Sequence, residues 1–72
     1  MDTNDLMFQI ASISLRKMGV RIAGIRGNIV YIVVPKMNHE GMYAHELGVA
    51  AKRMLNAGSN TDEKYRVKYR VI

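Results

Sequence analysis

The spacing of apolar residues changes from segment to segment along the chain, and each spacing predicts an element. From Asn4 to Met18, Leu6, Met7, Phe8, Ile10, Ala11, Leu15 and Met18 cover a wide apolar arc of a helical wheel, while Gln9, Ser12 and Arg16 form a narrower polar strip. That pattern predicts a helix. Thr3 and Asn4 are placed to cap it, and Asp5 suits the positive end of its dipole. Arg16 and Lys17 suit the opposite end, and Gly19 supplies a stop. Ile10 to Leu15 also alternates as a strand would; the capping residues favour the helix.

Val20 to Ile25 and Ile29 to Val34 are rich in strand-forming residues and are joined through Arg26-Gly27-Asn28, where Gly-Asn is a two-residue turn signal. Pairing across that turn predicts Gly24 opposite Tyr31, Ala23 opposite Ile32 and Ile22 opposite Val33. The Tyr31 ring would then shield the bare backbone of Gly24. The second strand is apolar on both faces, with Ile29, Tyr31 and Val33 on one and Val30, Ile32 and Val34 on the other. Such a strand belongs in the middle of a sheet, covered on both sides. One helical layer covers one face only. A homodimer is therefore expected, burying the other face through Val30, Ile32 and Val34, or alternatively through Ile29, Tyr31 and Val33.

Asn38 is placed to cap a second helix running to about Ala57, with Gly58 as its stop. Tyr43, Leu47, Ala50 and Met54 recur at helical spacing, flanked by Ala44, Ala51 and Leu55, and His45, Glu46, Lys52, Arg53 and Asn56 lie opposite. After the loop Ser59-Asn60-Thr61-Asp62, Lys64 to Ile72 alternates strictly. Tyr65, Val67, Tyr69 and Val71 would face inward and Lys64, Arg66, Lys68 and Arg70 outward, as in a half-buried strand. A right-handed crossover through the second helix sets this strand parallel to the second one. The predicted fold is a single α+β domain over residues 1–72, ordered α-β-β-α-β, with two helices packed on a three-stranded mixed sheet.

Composition narrows the function. A chain of 72 residues buries roughly 60% of its surface on folding, which is marginal for a domain alone. With 49% hydrophobic and 24% charged residues it is neither a disordered tail nor a fibrous repeat. The absence of cysteine excludes a disulfide framework and thiolate metal sites. The longest apolar run, Ile29 to Pro35, is far too short to span a membrane, and no signal-peptide core precedes it, so a soluble cytoplasmic chain is expected.

Charge is the strongest functional signal. The net charge is +5, and no acid occurs between Asp5 and Glu40, a stretch that holds Arg16, Lys17, Arg21, Arg26 and Lys36. The outward residues of the last strand form a cationic rail about 20 Å long, at about 6.6–6.8 Å per step. Arg21, Arg26, Lys64, Arg66, Lys68 and Arg70 are accordingly the residues expected to neutralise phosphates of a nucleic acid, DNA or RNA, with little sequence discrimination. The plainer account is a solvated edge strand whose cations only prevent pairing between molecules. Tyr65 and Tyr69 alternate away from the cations, so base stacking by those two rings is not expected.

Gly24-Ile25-Arg26-Gly27 spells G-x-x-G and resembles the loop with which KH domains clamp a nucleic-acid backbone. In that family the loop joins two helices. Here it runs into Asn28-Ile29-Val30-Tyr31-Ile32-Val33-Val34, a strand, so the resemblance carries no assignment. The order helix, hairpin, helix looks like that of small toxin ribonucleases of the HicA type, which carry a histidine in their first strands. No histidine lies between Gly19 and Met37, and no ribonuclease activity is implied. His39 and His45 are six positions apart, roughly 240° around a helix, which does not suit one metal ion. Neither a Ser-His-Asp arrangement nor a phosphate-binding glycine loop is present. The expectation is a non-enzymatic binding module without cofactor or metal. The alternative to nucleic acid is a protein-binding inhibitor or adaptor that docks a sheet face or edge strand. Its size and lack of cysteine are those of phage or prophage accessory proteins.

Overall fold

The computed structural model describes residues 3–57 and 64–72, and the side chains of residues 6–57 and 64–72. The capping roles of Thr3, Asn4 and Asp5, the stop at Gly58 and the loop from Ser59 to Asp62 lie outside what is described. The element order is α1 (Thr3–Lys17), β1 (Arg21–Arg26), β2 (Ile29–Val34), α2 (Ala44–Asn56) and β3 (Arg66–Val71). The sheet order is β1-β2-β3, with β2 antiparallel to β1 and parallel to β3. The α+β architecture with β2 in the middle is thus the one that the apolar patterning predicts. No helix among the described residues is long and apolar enough to cross a membrane.

Helix α1 stops at Gly19 in a Schellman turn. The Val20 N–H donates to the Leu15 carbonyl at 2.9 Å and the Gly19 N–H to that of Arg16 at 3.0 Å, with Gly19 at φ +90°. Leu15 and Val20, the two residues whose side chains this turn brings together, are both fully buried. They join one core with Ala11, Val30, Ile32, Val34, Leu47, Ala51 and Leu55. Residues of α1 and α2 thus share a core with the same face of β2. Both helices lie on one side of the sheet.

Two expectations are corrected by this packing. Val30, Ile32 and Val34 are 0, 1 and 0% exposed beneath the helices, so they cannot form a dimer interface. On α1 only the strip through Ala11 and Leu15 is buried, with Phe8 and Met18 beside it. Leu6, Ile10 and Ile13 form a second apolar stripe on the opposite side, about half exposed. A helix can lay only part of its circumference on a sheet, and the arc read from the sequence was wider than that.

Helix α2 begins at Ala44 with Tyr43 at its N-cap, five residues later than a cap at Asn38 predicts. Asn38 caps a tight turn instead. Its Oδ1 accepts from the N–H groups of Glu40 at 3.0 Å and Met42 at 2.8 Å, while its Nδ2 donates to the Met18 carbonyl at 3.1 Å. Gly41, at φ +81°, lets the chain reverse, and Met37 and Tyr43 bridge across the turn. His39 and Glu40 therefore lie in this turn, 3.6 Å apart and exposed, rather than in a first helical turn. Tyr43 stands at the N-cap position, exposed and outside the apolar stripe.

At the far end of α2, Asn56 is buried rather than on a polar face. Its Nδ2 donates to the carbonyls of Lys52 at 2.8 Å and Tyr65 at 3.0 Å, and its Oδ1 accepts from the Tyr65 N–H at 2.7 Å. The side chain thus pairs with the Tyr65 backbone just as a neighbouring strand would. Tyr65 packs on Phe8 with ring centroids 5.3 Å apart, and Val67 also lies against the core. Tyr69 and Val71, expected inward, are on the helix side of the edge strand but more than 40% exposed. The Tyr69 ring covers Gly48 of α2 so closely that a Cβ built on that glycine would stand 2.9 Å from Cδ1.

Candidate nucleic-acid interface

The face of the sheet away from the helices is built by alternation and by one irregularity. In β2, Ile29, Tyr31 and Val33 point away from the core residues Val30, Ile32 and Val34. Parallel register places Arg66 beside Ile29, Lys68 beside Tyr31 and Arg70 beside Val33. On the other side, Arg26 pairs with Ile29, Gly24 with Tyr31 and Arg21 with Val33. Arg21 and Arg26 are an odd number of residues apart, and an unbroken strand would turn them to opposite faces. A β-bulge between Ile22 and Gly24 leaves Ala23 without a register partner and returns both arginines to the same face. It also corrects the expected pairing: Ile22 lies opposite Ile32, not Val33, while Gly24 opposite Tyr31 stands as predicted.

The result is three rows across the sheet: Arg21-Val33-Arg70, Gly24-Tyr31-Lys68 and Arg26-Ile29-Arg66. Strands are about 4.8 Å apart and same-face residues about 6.6–6.8 Å apart, so the nine positions cover a patch of about 10 by 13 Å at the Cα level. All five cations are exposed, Tyr31 and Ile29 are half-buried, and Val33 is 8% exposed between its two arginines. None of the three strands contains an acidic residue. Among the described residues none of the five cations takes part in an ion pair. Their charge is directed to solvent.

Lys64 does not belong to this patch. It precedes β3, and its ammonium stands 5.4 Å from the centroid of the Tyr65 ring, a cation–π contact on a side chain that packs with the core. The rail on β3 is therefore Arg66, Lys68 and Arg70, about 13 Å from end to end.

Tyr31, expected to shield Gly24 or to line a dimer face, is the one aromatic residue on this face among the described residues. With Ala23, Ile32, Val33, Lys68, Tyr69 and Arg70 it lines a shallow depression of about 240 Å³. The Tyr31 ring does not shield Gly24: a Cβ built there meets nothing within 4 Å, so the position beside the ring is open. On the helix layer, His45 lies exposed in the first turn of α2 and His39 in the preceding turn. Among the described residues no three of His, Asp and Glu gather where one ion could reach them. Compared with protein-family models, with curated proteins and with solved structures, the chain matches none.

Proposed function

We propose that the outer sheet face binds the sugar–phosphate backbone of a nucleic acid and does no covalent chemistry. The observation that supports this reading is the set of five solvent-directed cations in register on one acid-free face, Arg21, Arg26, Arg66, Lys68 and Arg70. Four of them are arginines, whose forked donors can hold a phosphate through two bonds. Contacts of this kind position a ligand without reading its sequence, so discrimination between sequences is low. A homodimer through this face is not part of the reading, because it would set five cations against five.

Salt titration tests the proposal. Five phosphate contacts give a slope of log K against log salt of about −4.5 for a duplex and about −3.5 for a single strand. Replacing Arg66, Lys68 and Arg70 together by Gln flattens that slope by about 2–3 units. If the triple variant binds as tightly as the parent at every salt concentration, the cations are only an edge guard. One observation favours the protein-docking alternative, the exposed stripe Leu6-Ile10-Ile13 on α1. Binding through that stripe would change little with salt.

A further inference from the structure

We propose that the ligand of the outer sheet face is single-stranded, with one unpaired base stacked on Tyr31; this rests on the phosphate-binding reading above and adds the strandedness of the ligand. Every other tyrosine is committed or remote: Tyr65 packs on Phe8, Tyr69 covers Gly48, and Tyr43 stands at the start of α2. Tyr31 alone occupies the cationic face, at its centre, with Val33 and Ile29 before and after it on the strand and Lys68 beside it. A ring surrounded by phosphate-binding cations is the arrangement by which single strands are held, since every base has a face to stack and every nucleotide a charge to neutralise. In a duplex the base faces are covered by their neighbours, and the ring would have nothing to engage.

Gly24 is the second observation. A glycine inside a strand lowers stability and marks either a bulge, such as the one beside it at Ala23, or a place where something approaches the backbone. Among the described residues nothing approaches Gly24, where an added Cβ would stand in open space and the backbone φ is not positive. The bare position next to Tyr31 in its row leaves room for a planar group to lie along the ring, and the depression beside the ring reaches from Ala23 to Lys68 and Arg70, which would hold the flanking phosphates.

The chain contains no tryptophan, so Tyr31→Trp installs a single reporter at this position. Its emission is followed while the protein is titrated, at one fixed salt concentration, with an oligodeoxynucleotide or oligoribonucleotide of roughly ten residues. The same oligonucleotide as a duplex and inorganic polyphosphate, which has no bases, serve as comparison probes. The single strands should quench the emission, and polyphosphate should bind without quenching. In parallel, Tyr31→Val should weaken single-strand binding by roughly 5- to 150-fold while leaving polyphosphate affinity unchanged, and Tyr31→Phe should retain the parent affinity. Equal single-strand affinity of parent and Tyr31→Val, with both still binding polyphosphate, would overturn the stacking and leave the phosphate reading standing. Duplex bound as tightly as single strand, with no quenching, overturns it equally. Failure of every probe to bind removes both proposals. Should Tyr31→Val not fold, the quenching of the Trp variant decides.

Discussion

The contact between Gly48 and Tyr69 makes a sharp test of how α2 sits on β3. In most helices, replacing an interior glycine by alanine stabilises by about 1 kcal/mol. Here the new Cβ would lie 2.9 Å from Cδ1, 3.3 Å from Cε1 and 3.6 Å from Cγ of Tyr69. All three are ring atoms, and the first distance is too short to keep, so either the ring swings off the helix or α2 lifts from the sheet. Overpacking of this kind costs about 1–3 kcal/mol, which outweighs the helical gain. Gly48→Ala should therefore lower stability by about 1 kcal/mol, a fall of about 4–8 °C in Tm for a domain of this size. In a Tyr69→Ala background the obstacle is gone, and the same substitution should raise stability by about 1 kcal/mol. The sign reversal gives a coupling of about 1–3 kcal/mol, measurable by urea unfolding of the four proteins followed by circular dichroism. If Gly48→Ala stabilises the parent and the Tyr69→Ala protein equally, the ring is not seated on α2 and the account of this glycine fails.

Asn56→Ala should cost about 2–3 kcal/mol in urea unfolding, because it strands the N–H and carbonyl of Tyr65 as well as removing the bond to Lys52. A loss below about 0.5 kcal/mol, the level of an ordinary surface change, would show that the latch is not formed. Leu15→Ala, at a fully buried site where α1 meets the sheet, should cost about 2–5 kcal/mol, whereas Ile13→Lys two residues away, 60% exposed, should stay within about 0.5 kcal/mol. Comparable losses from the two would mean that α1 is rotated relative to the core. Gly24→Ala adds a methyl in open space without backbone strain and should raise Tm by about 2–8 °C, read by thermal circular dichroism. A lower Tm would mean that the bare backbone is needed inside the fold.

Which parts of this were legible in the sequence follows from how local each signal is. The period changes from helix to strand are local, so the element order, the central place of the apolar strand and the outward turn of Arg66, Lys68 and Arg70 could all be read. So could the partnership of Gly24 and Tyr31, which lies close to the two-residue turn that sets it. The bulge at Ala23 has one signal, the glycine inside the strand at Gly24, which marks a bulge or a close approach without choosing between them, and without the bulge Arg21 and Arg26 belong on opposite faces. The place of Tyr31 beside Lys68 could not be read, because it depends on the parallel register, which no turn connects and no spacing reveals. Asn38 misled for a chemical reason: the side chain that caps helices closes tight turns equally well, and it is Gly41 that selects the turn. The wide apolar arc of α1 hid two separate stripes, one for the core and one for solvent.

The bond pair between Asn56 and Tyr65 has a consequence for how freely the chain can change length. Tyr65 immediately precedes β3, so the amide that holds it sets the starting point of that strand from the end of α2 directly, across the intervening residues rather than through them. Which residue of β3 meets which residue of β2 is thereby fixed at Tyr65 itself. Lengthening the connection then costs only closure entropy, about 0.6 kcal/mol for each doubling, while Arg66, Lys68 and Arg70 keep their places in the three rows. Insertions between Asn56 and Tyr65 are thus the ones that a descendant of this chain, or an engineer attaching a label, can make without disturbing the cationic face.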